Sequence, residues 1–497
     1  MRKRSFMLKC FVVFFGVAVL LVSQENRATD HNKFDTIRTK ILNTIKEKGV
    51  PSISAVVAKD GRIIWEEAFG WADREKRIKA TPHTMYSLAS ISKPITATGL
   101  MILVERGLLN LNLPANMYLG RAKLTVYEGR DSEATVKRIL HHTSGLPSHM
   151  HFFFENESYF PPSMDETILR YGILVTPPGE TYQYSNLGYG IISYIISRVS
   201  GKSYDKFMKT EVFIPLGMIH TSVGIEPRLK DFVAVRYRPD QSSLSYYDFD
   251  HRGASAVFSS AHDLALFGMF QLKNHLPGQK QILADSSIDA LHQEIDSKCP
   301  DSKYALGWRF SENDKGYHTI SHGGGMAGVR TSLKLVPSEN IAVAVLCNSK
   351  NNIVFEITDE IIALILPKYG SELKRGKETS SETKAEKISL PKELFGEWKG
   401  QIKTFKEDVP IKMLVQKDGD VHMKIGDQME TLLNDLRFQE GTLEGRFSGE
   451  IKTEDAGRFP HSLVLKIKLR GNRLSGSVMA HIPDRYALSS YVQLWKQ

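Results

Sequence analysis

Ser90-Ile91-Ser92-Lys93 heads an apolar stretch in which Ile91, Ile95, Leu100 and Leu103 return at helical spacing. Pro94 fits the first turn of such a helix, where backbone N–H groups have no partner to lose. Residues at i and i+3 share a helix face, with Cβ atoms about 5–6 Å apart, so this reading puts the Lys93 amine within reach of the Ser90 hydroxyl. A hydroxyl beside an amine that can take its proton is an activated nucleophile. The positive end of the helix favours an oxyanion forming next to it. Spacing alone says little, because Ser203/Lys206, Ser371/Lys374, Ser381/Lys384 and Ser389/Lys392 repeat it. The last three lie in a charged, weakly apolar stretch, whereas Ser90 opens a helix.

Two further motifs follow in order, Tyr184-Ser185-Asn186 and His322-Gly323-Gly324-Gly325. Around them stand Leu140-His141-His142-Thr143-Ser144-Gly145-Leu146-Pro147, Pro178-Gly179-Glu180 and Ala261-His262-Asp263-Leu264. Together these resemble the serine penicillin-recognising family of class C β-lactamases, DD-peptidases, D-aminopeptidases and related esterases, with its Ser-x-x-Lys, Tyr-x-Asn and Lys-Thr-Gly signatures. The resemblance runs from about residue 35 to 365. It implies an α+β fold: a five-stranded antiparallel sheet flanked by helices, plus a mostly helical subdomain, with the cleft between them.

An acyl-enzyme needs a nucleophile, a base, an acid for the leaving group and an oxyanion hole. Ser90 is the candidate nucleophile. Lys93 is the candidate base, provided that desolvation and nearby positive potential keep it neutral. Tyr184 would share the proton with Lys93 and pass it to the leaving group, the two titrating as a coupled pair. Asn186 offers an amide to the substrate. Gly324 and Gly325 let a strand approach the substrate closely, the Gly325 N–H joining that of Ser90 in the oxyanion hole. His322 stands where the family has lysine and is mostly neutral at pH 7. Without that fixed charge, the reading favours an esterase or D-amino-acid peptidase over a β-lactamase or DD-carboxypeptidase. Plain structural alternatives are a helix-capping Ser90, an exposed Lys93, a core Tyr184 among Tyr182 and Tyr189, a turn Asn186 and an incidental His322. A protein of another class, a penicillin-binding-like sensor without turnover, shares the same motifs.

Composition limits the other choices. Charged residues make up 24% and hydrophobic ones 41%, as in ordinary globular proteins, and 497 residues exceed a single core. Of the net charge of +9, four belong to Arg2, Lys3, Arg4 and Lys9, and no basic run is interleaved with aromatics, so nucleic acid is not an expected partner. The same basic residues precede Phe11 to Val22, an apolar run shorter than the roughly 20 residues of a membrane span. Residues 1–24 therefore read as a signal peptide for export to the periplasm or medium, or as an uncleaved anchor. Beyond Cys10 only Cys299 and Cys347 remain; export permits a disulfide between them, but Cys347 ends an apolar strand and reads as a buried thiol.

No Gly-x-Ser-x-Gly, His-Glu-x-x-His or phosphate-cradling glycine loop occurs. His149-Met150-His151 lacks the acid of a metallo-β-lactamase and reads as a solvent-exposed pair, while His141 and His142 read as partners of backbone groups. Neither a metal nor an organic cofactor is expected, and the substrate class is a small molecule or peptide.

The domain reading follows strand and turn signals. Residues 30–368 form the hydrolase domain, with strands at Ser52 to Ala58, Ile63 to Gly70, His318 to Ser321, Thr331 to Val336 and Ile341 to Cys347, then a helix from about Asn351 to Leu366. Residues 369–390 are a charged linker by composition. Residues 391–497 carry short alternating runs after Gly396-Glu397-Trp398-Lys399-Gly400, which predicts a small all-β barrel or sandwich of lipocalin-like character.

Overall fold

Alternation within two strands decides how the first domain is layered. In Ile341–Cys347, residues 341, 343, 345 and 347 enter one hydrophobic core while Ala342, Ala344 and Leu346 enter another. Ser52–Lys59 does the same, sending Ile53, Ala55 and Val57 one way and Val56 and Ala58 the other. A strand buried on both faces must lie in the middle of a covered sheet. The computed structural model, which describes residues 33–293, 296–299, 302–378 and 390–497, has this arrangement. The expected signal segment lies outside the described residues, and among those described no helix is long and apolar enough to cross a membrane.

The described strands of the main sheet run in the order Arg309–Asp314, Tyr317–Met326, Val329–Val336, Ile341–Cys347, Ser52–Lys59, Arg62–Asp73 and Ile78–Lys79. Neighbours are antiparallel throughout. Seven strands therefore replace the five expected. The additions are edge strands, whose exposed polar residues carry no alternating signal. Helices Asp35–Lys48 and Ile353–Ile365 cover one face, with Phe34 stacked on Trp65 at 4.8 Å. Helix Ala261–Gln271 covers the other, and Ser92–Glu105 packs against Asn186–Ser200 of the helical subdomain.

The stretch expected as linker begins as a helix, Pro367–Glu378, instead of loop. Proline is preorganised for a first helical turn. Tyr369, fully buried, anchors the helix with its hydroxyl among Asp359, Asp314 and Lys334. Residues 379–389 lie outside the described ones.

The C-terminal part is an antiparallel, nearly closed barrel. Its strand order is Thr431–Leu432, Val421–Ile425, Asp408–Val415, Gly396–Lys403, Tyr486–Lys496, Arg473–Ile482, Ser462–Arg470, Thr442–Ser448 and Asn434–Gln439. Side chains bridge the seam: Gln428 donates to Glu450 O at 2.9 Å and accepts from Glu450 N at 2.8 Å, and Thr431 donates to Ser448 O. Gly400 has to be glycine, since a Cβ there would meet Gln493 O at 1.8 Å.

The barrel is not a loose appendage. Met150–Phe154 of the first domain pairs with its last strand through Tyr486 and His151, and pairs in turn with Tyr247–Phe249. Ser489 donates to Ser148 O at 2.8 Å. Glu128 meets Arg473 and the Tyr491 hydroxyl at 2.8 and 2.7 Å. Asp455, buried, accepts from Tyr159 and Tyr171 and pairs with Arg170 at 2.9 Å. Burial opposes ionisation of Asp455, yet these donors together hold its carboxyl below the ordinary range. Replacing it takes the acceptor from the Tyr159 and Tyr171 hydroxyls and leaves the Arg170 guanidinium with Glu166 alone. Asp455→Ala is expected to cost about 3 kcal/mol in urea unfolding at neutral pH. Because the folded pKa is lowered, the carboxylate stabilises above its unfolded pKa and stops doing so as pH falls; the gap to wild type should therefore shrink below about pH 4.

Candidate active site

A tight turn presents Ser90. Ala89–Ile91 is a 3-10 turn running into helix Ser92–Glu105, and Ala89 sits at φ 49°, a left-handed conformation that costs a non-glycine residue roughly 1–2 kcal/mol. The turn is clamped on several sides. Leu88 N donates to Val257 O, Ser92 Oγ accepts from Val257 N, and Thr331 Oγ1 donates to Leu88 O at 2.9 Å. Gly324 closes the clamp: a Cβ on it would lie 2.1 Å from Leu88 O and 2.2 Å from Thr331 Oγ1. The glycine run thus lets its strand press against the turn that carries Ser90, with Gly325 next along it.

Lys93 is fully buried. Its Nζ lies 3.1 Å from Ser90 Oγ, 2.8 Å from Asn186 Oδ1 and 3.2 Å from Ala254 O. The last two are carbonyl oxygens and can only accept. A neutral amine meets all three contacts: its two N–H bonds go to Asn186 and Ala254, and its lone pair faces the Ser90 hydroxyl. No carboxylate pairs with Lys93 among the described residues. Burial, reinforced by the charge of Arg309, holds its pKa well below the usual value. The exposed-lysine alternative is thereby removed.

Tyr184 lies under this amine, with Nζ 4.6 Å from its ring centroid. Lys93 therefore meets the π face, where the coupled-pair expectation required it at the phenolic oxygen. Burial raises the Tyr184 pKa, and its hydrogen bond with Ser90 only partly opposes this, so the phenol is neutral. Asn186 starts helix Asn186–Ser200, which Ser185 caps by accepting from Gly188 N. Its amide is largely committed, Oδ1 to Lys93 and Nδ2 to His149 O at 2.9 Å, which makes it first a holder of the lysine.

His322 is buried too. Its Nδ1 is 2.8 Å from Gly323 O, which can only accept, so the proton is on Nδ1 and Nε2 accepts from the Tyr304 hydroxyl at 3.0 Å. Burial, with the nearby Lys93 and Arg309, pushes its pKa down to about 3. It is a neutral, fixed ring in the wall and does not replace a lysine charge.

Two residues, Tyr304 and Arg309, escaped the sequence reading. Tyr304 carries His322. His142, at φ 62°, packs 4.4 Å from the Tyr184 ring and accepts from Ser185 N, which is the backbone role expected for it. Arg309, exposed on the edge strand beside His322, holds its guanidinium 5.9 Å from the Tyr184 ring and 5.6 Å from that of Tyr304. It brings to the mouth the positive charge that His322 lacks. Tyr182 lines a groove of about 560 Å³ shared with barrel residues Arg437, Glu444 and Lys466. Neither described cysteine takes part: both are free, and burial pushes the Cys347 thiol up to about 11.

His149 and His151 are not the exposed loop pair expected. They are 2% and 0% exposed, held behind Asn186 by the strand pairing with the barrel.

Comparison with known proteins agrees with this architecture. The family model described as Beta-lactamase matches residues 37–366, well over half of the chain. Protein flp of Staphylococcus aureus (strain MRSA252) is 28% identical over 331 residues, and the chain spans only 65% of that relative's length, using 65% of its own. Penicillin-binding protein 4* of Bacillus subtilis (strain 168) is 27% identical over 326 residues, covering 61% of this chain and 69% of that protein. The octameric penicillin-binding protein homologue from Pyrococcus abyssi superposes with a TM-score of 0.59 at 23% identity, over 91% of this chain and 99% of that one, which shows a shared fold that includes the barrel. On the family match and on this fold, the chain belongs to the family of serine β-lactamases and penicillin-binding-protein-like hydrolases.

Proposed function

We propose that this protein is an exported serine hydrolase that cleaves an ester or amide through an acyl-Ser90 intermediate. The observation that carries the reading is the Lys93 amine, fully buried, with no carboxylate partner among the described residues and 3.1 Å from Ser90 Oγ. In acylation the Ser90 proton passes to Lys93 Nζ as Oγ bonds to the substrate carbonyl carbon. The oxyanion forms against the N–H groups of Ser90 and Gly325. As the bond to the leaving group breaks, that group takes the proton held on Lys93 Nζ, so the amine ends the step neutral, while the Tyr184 hydroxyl beside Ser90 stays protonated and donates a hydrogen bond to the departing atom. Water then repeats the sequence on the acyl-enzyme.

Arg309 refines the substrate class. An exposed guanidinium beside the rings of Tyr184 and Tyr304 suits a carboxylate on the substrate, and the groove along Tyr182 gives room for a chain longer than a simple ester. A carboxylate-bearing substrate suits a D-amino-acid peptidase or an esterase, and with the charge at Arg309 it suits the second reading, a β-lactamase or DD-carboxypeptidase, as well.

Intact-mass spectrometry after exposure to a fluorophosphonate, a penicillin and a nitrophenyl ester tests the nucleophile. Transient acylation with ester turnover is expected, both being lost in Ser90→Ala with a drop of about 10³-fold or more. A stable penicillin adduct without ester turnover would instead mark a sensor, and no serine adduct with any probe would sink the assignment.

The pH dependence of kcat/KM has a stated sign. Lys93 works only when neutral, so activity should be full above its lowered pKa and fall as pH drops through it. Arg309→Gln removes a positive neighbour of that amine and should move the acidic limb to higher pH. The same variant should raise KM for a carboxylate-bearing substrate by about 10- to 100-fold, the worth of a charged hydrogen bond, and leave a neutral ester nearly unaffected. An unmoved limb and an unchanged KM would remove Arg309 from the site.

A further inference from the structure

Behind Asn186 lies a cluster that the acyl-transfer chemistry does not use. His149 and His151 come from the start of Met150–Phe154, and Asp250 and His251 follow the strand that pairs with it, Tyr247–Phe249. All four are buried, none more than 5% exposed. Asp250 Oδ2 is 2.8 Å from His149 Nε2, its Oδ1 is 2.6 Å from His251 Nδ1, and His151 Nδ1 is 3.8 Å from Oδ2. Ligand atoms of His149, Asp250 and His251 all lie within 4.8 Å of one another.

The polar accounting around this carboxylate does not close. Both ring nitrogens of His151 lack a hydrogen-bond partner, whereas His149 and His251 each use one nitrogen on Asp250. An unpaired buried polar group costs about 1–3 kcal/mol, so a fully buried imidazole with neither nitrogen paired is an expensive filler where a leucine or phenylalanine would pack. Its Nδ1 faces the one carboxylate in the cluster.

We propose that His149, Asp250 and His251, with His151 as fourth donor, form a structural binding site for a divalent metal of the zinc type. Three imidazoles and a carboxylate are a borderline donor set, which Zn²⁺ takes in tetrahedral geometry with bonds of about 2.0–2.1 Å. Donor atoms on such a tetrahedron stand about 3.3 Å apart. The two short contacts to Asp250 open by about half an ångström, and the His151 contact closes by a similar amount. Four protein donors leave no open position, so the ion's part is to hold the fold. What it holds matters: His149 O accepts from Asn186, and His251 leads into the turn carrying Ala254 O, so the site fixes both acceptors of the Lys93 amine.

The test uses the full chain purified without a histidine tag from zinc-supplemented cells. Elemental analysis should find about one zinc per chain. After chelation, Co²⁺ should give the intense visible bands of a tetrahedral site, and Zn²⁺ should raise Tm. His149→Gln should abolish the cobalt bands and the Tm response, whereas His275→Ala, at the exposed His275/Asp285 pair, should leave both intact. Should His149→Gln fail to fold, His151→Gln serves, since that side chain has no hydrogen bond to lose. Folded protein that takes up no metal, or metal retained undiminished by the folded cluster variant, would overturn the proposal.

Discussion

A lysine amine with no counter-ion has to be kept out of water and still be given two acceptors, and much of the hydrolase domain answers to that demand. Water would protonate Lys93, and a carboxylate neighbour would hold the proton on it. The fold supplies carbonyl oxygens instead, from Asn186 at the head of one helix and from Ala254 in a short turn, and roofs the amine with Tyr184 and Tyr189. They come from two stretches far apart in the chain, residues 184–189 and the turn at Ala254. Their convergence fixes how the helical subdomain docks on the nucleophile helix, and so where the cleft opens.

Strain and closeness are concentrated at the same place. Ala89 holds an unfavourable backbone conformation only because Leu88 and Ser92 are tied to the chain around Val257, and because the strand of Gly324 presses against the turn. The glycines of the third motif thus serve the posture of the Ser90 turn. The polar ring of His322 is closed off by Tyr304 and by its own neighbour's carbonyl, a fixed piece of wall.

How much of this could be read beforehand depends on distance along the chain. Ser90 with Lys93, the two-faced strands 52–59 and 341–347, and the barrel strands were legible because their signal lies in local period or spacing. Arg309 was not, because an arginine on an edge strand looks like any solvated residue until the fold sets it beside Tyr184. The edge strand itself hid for the same reason. His149 and His151 read as exposed because only the barrel, far along the chain, buries them. Asn186 was recognised as a site residue, but its tie to Lys93 depends on a separation of 93 positions that no pattern announces.

The pairing of Met150–Phe154 with Tyr486–Lys496 also bears on the order of events during synthesis. The loop that backs Asn186 is anchored by Ser489, made 341 residues after Ser148. Chains emerge from the ribosome N-terminal end first, so the hydrolase segment is exposed well before its anchoring strand exists. During that interval its acceptors are unpinned and its buried histidines are wet. The barrel is in this sense a late keystone: the nucleophile's surroundings are completed only when the far end of the chain arrives.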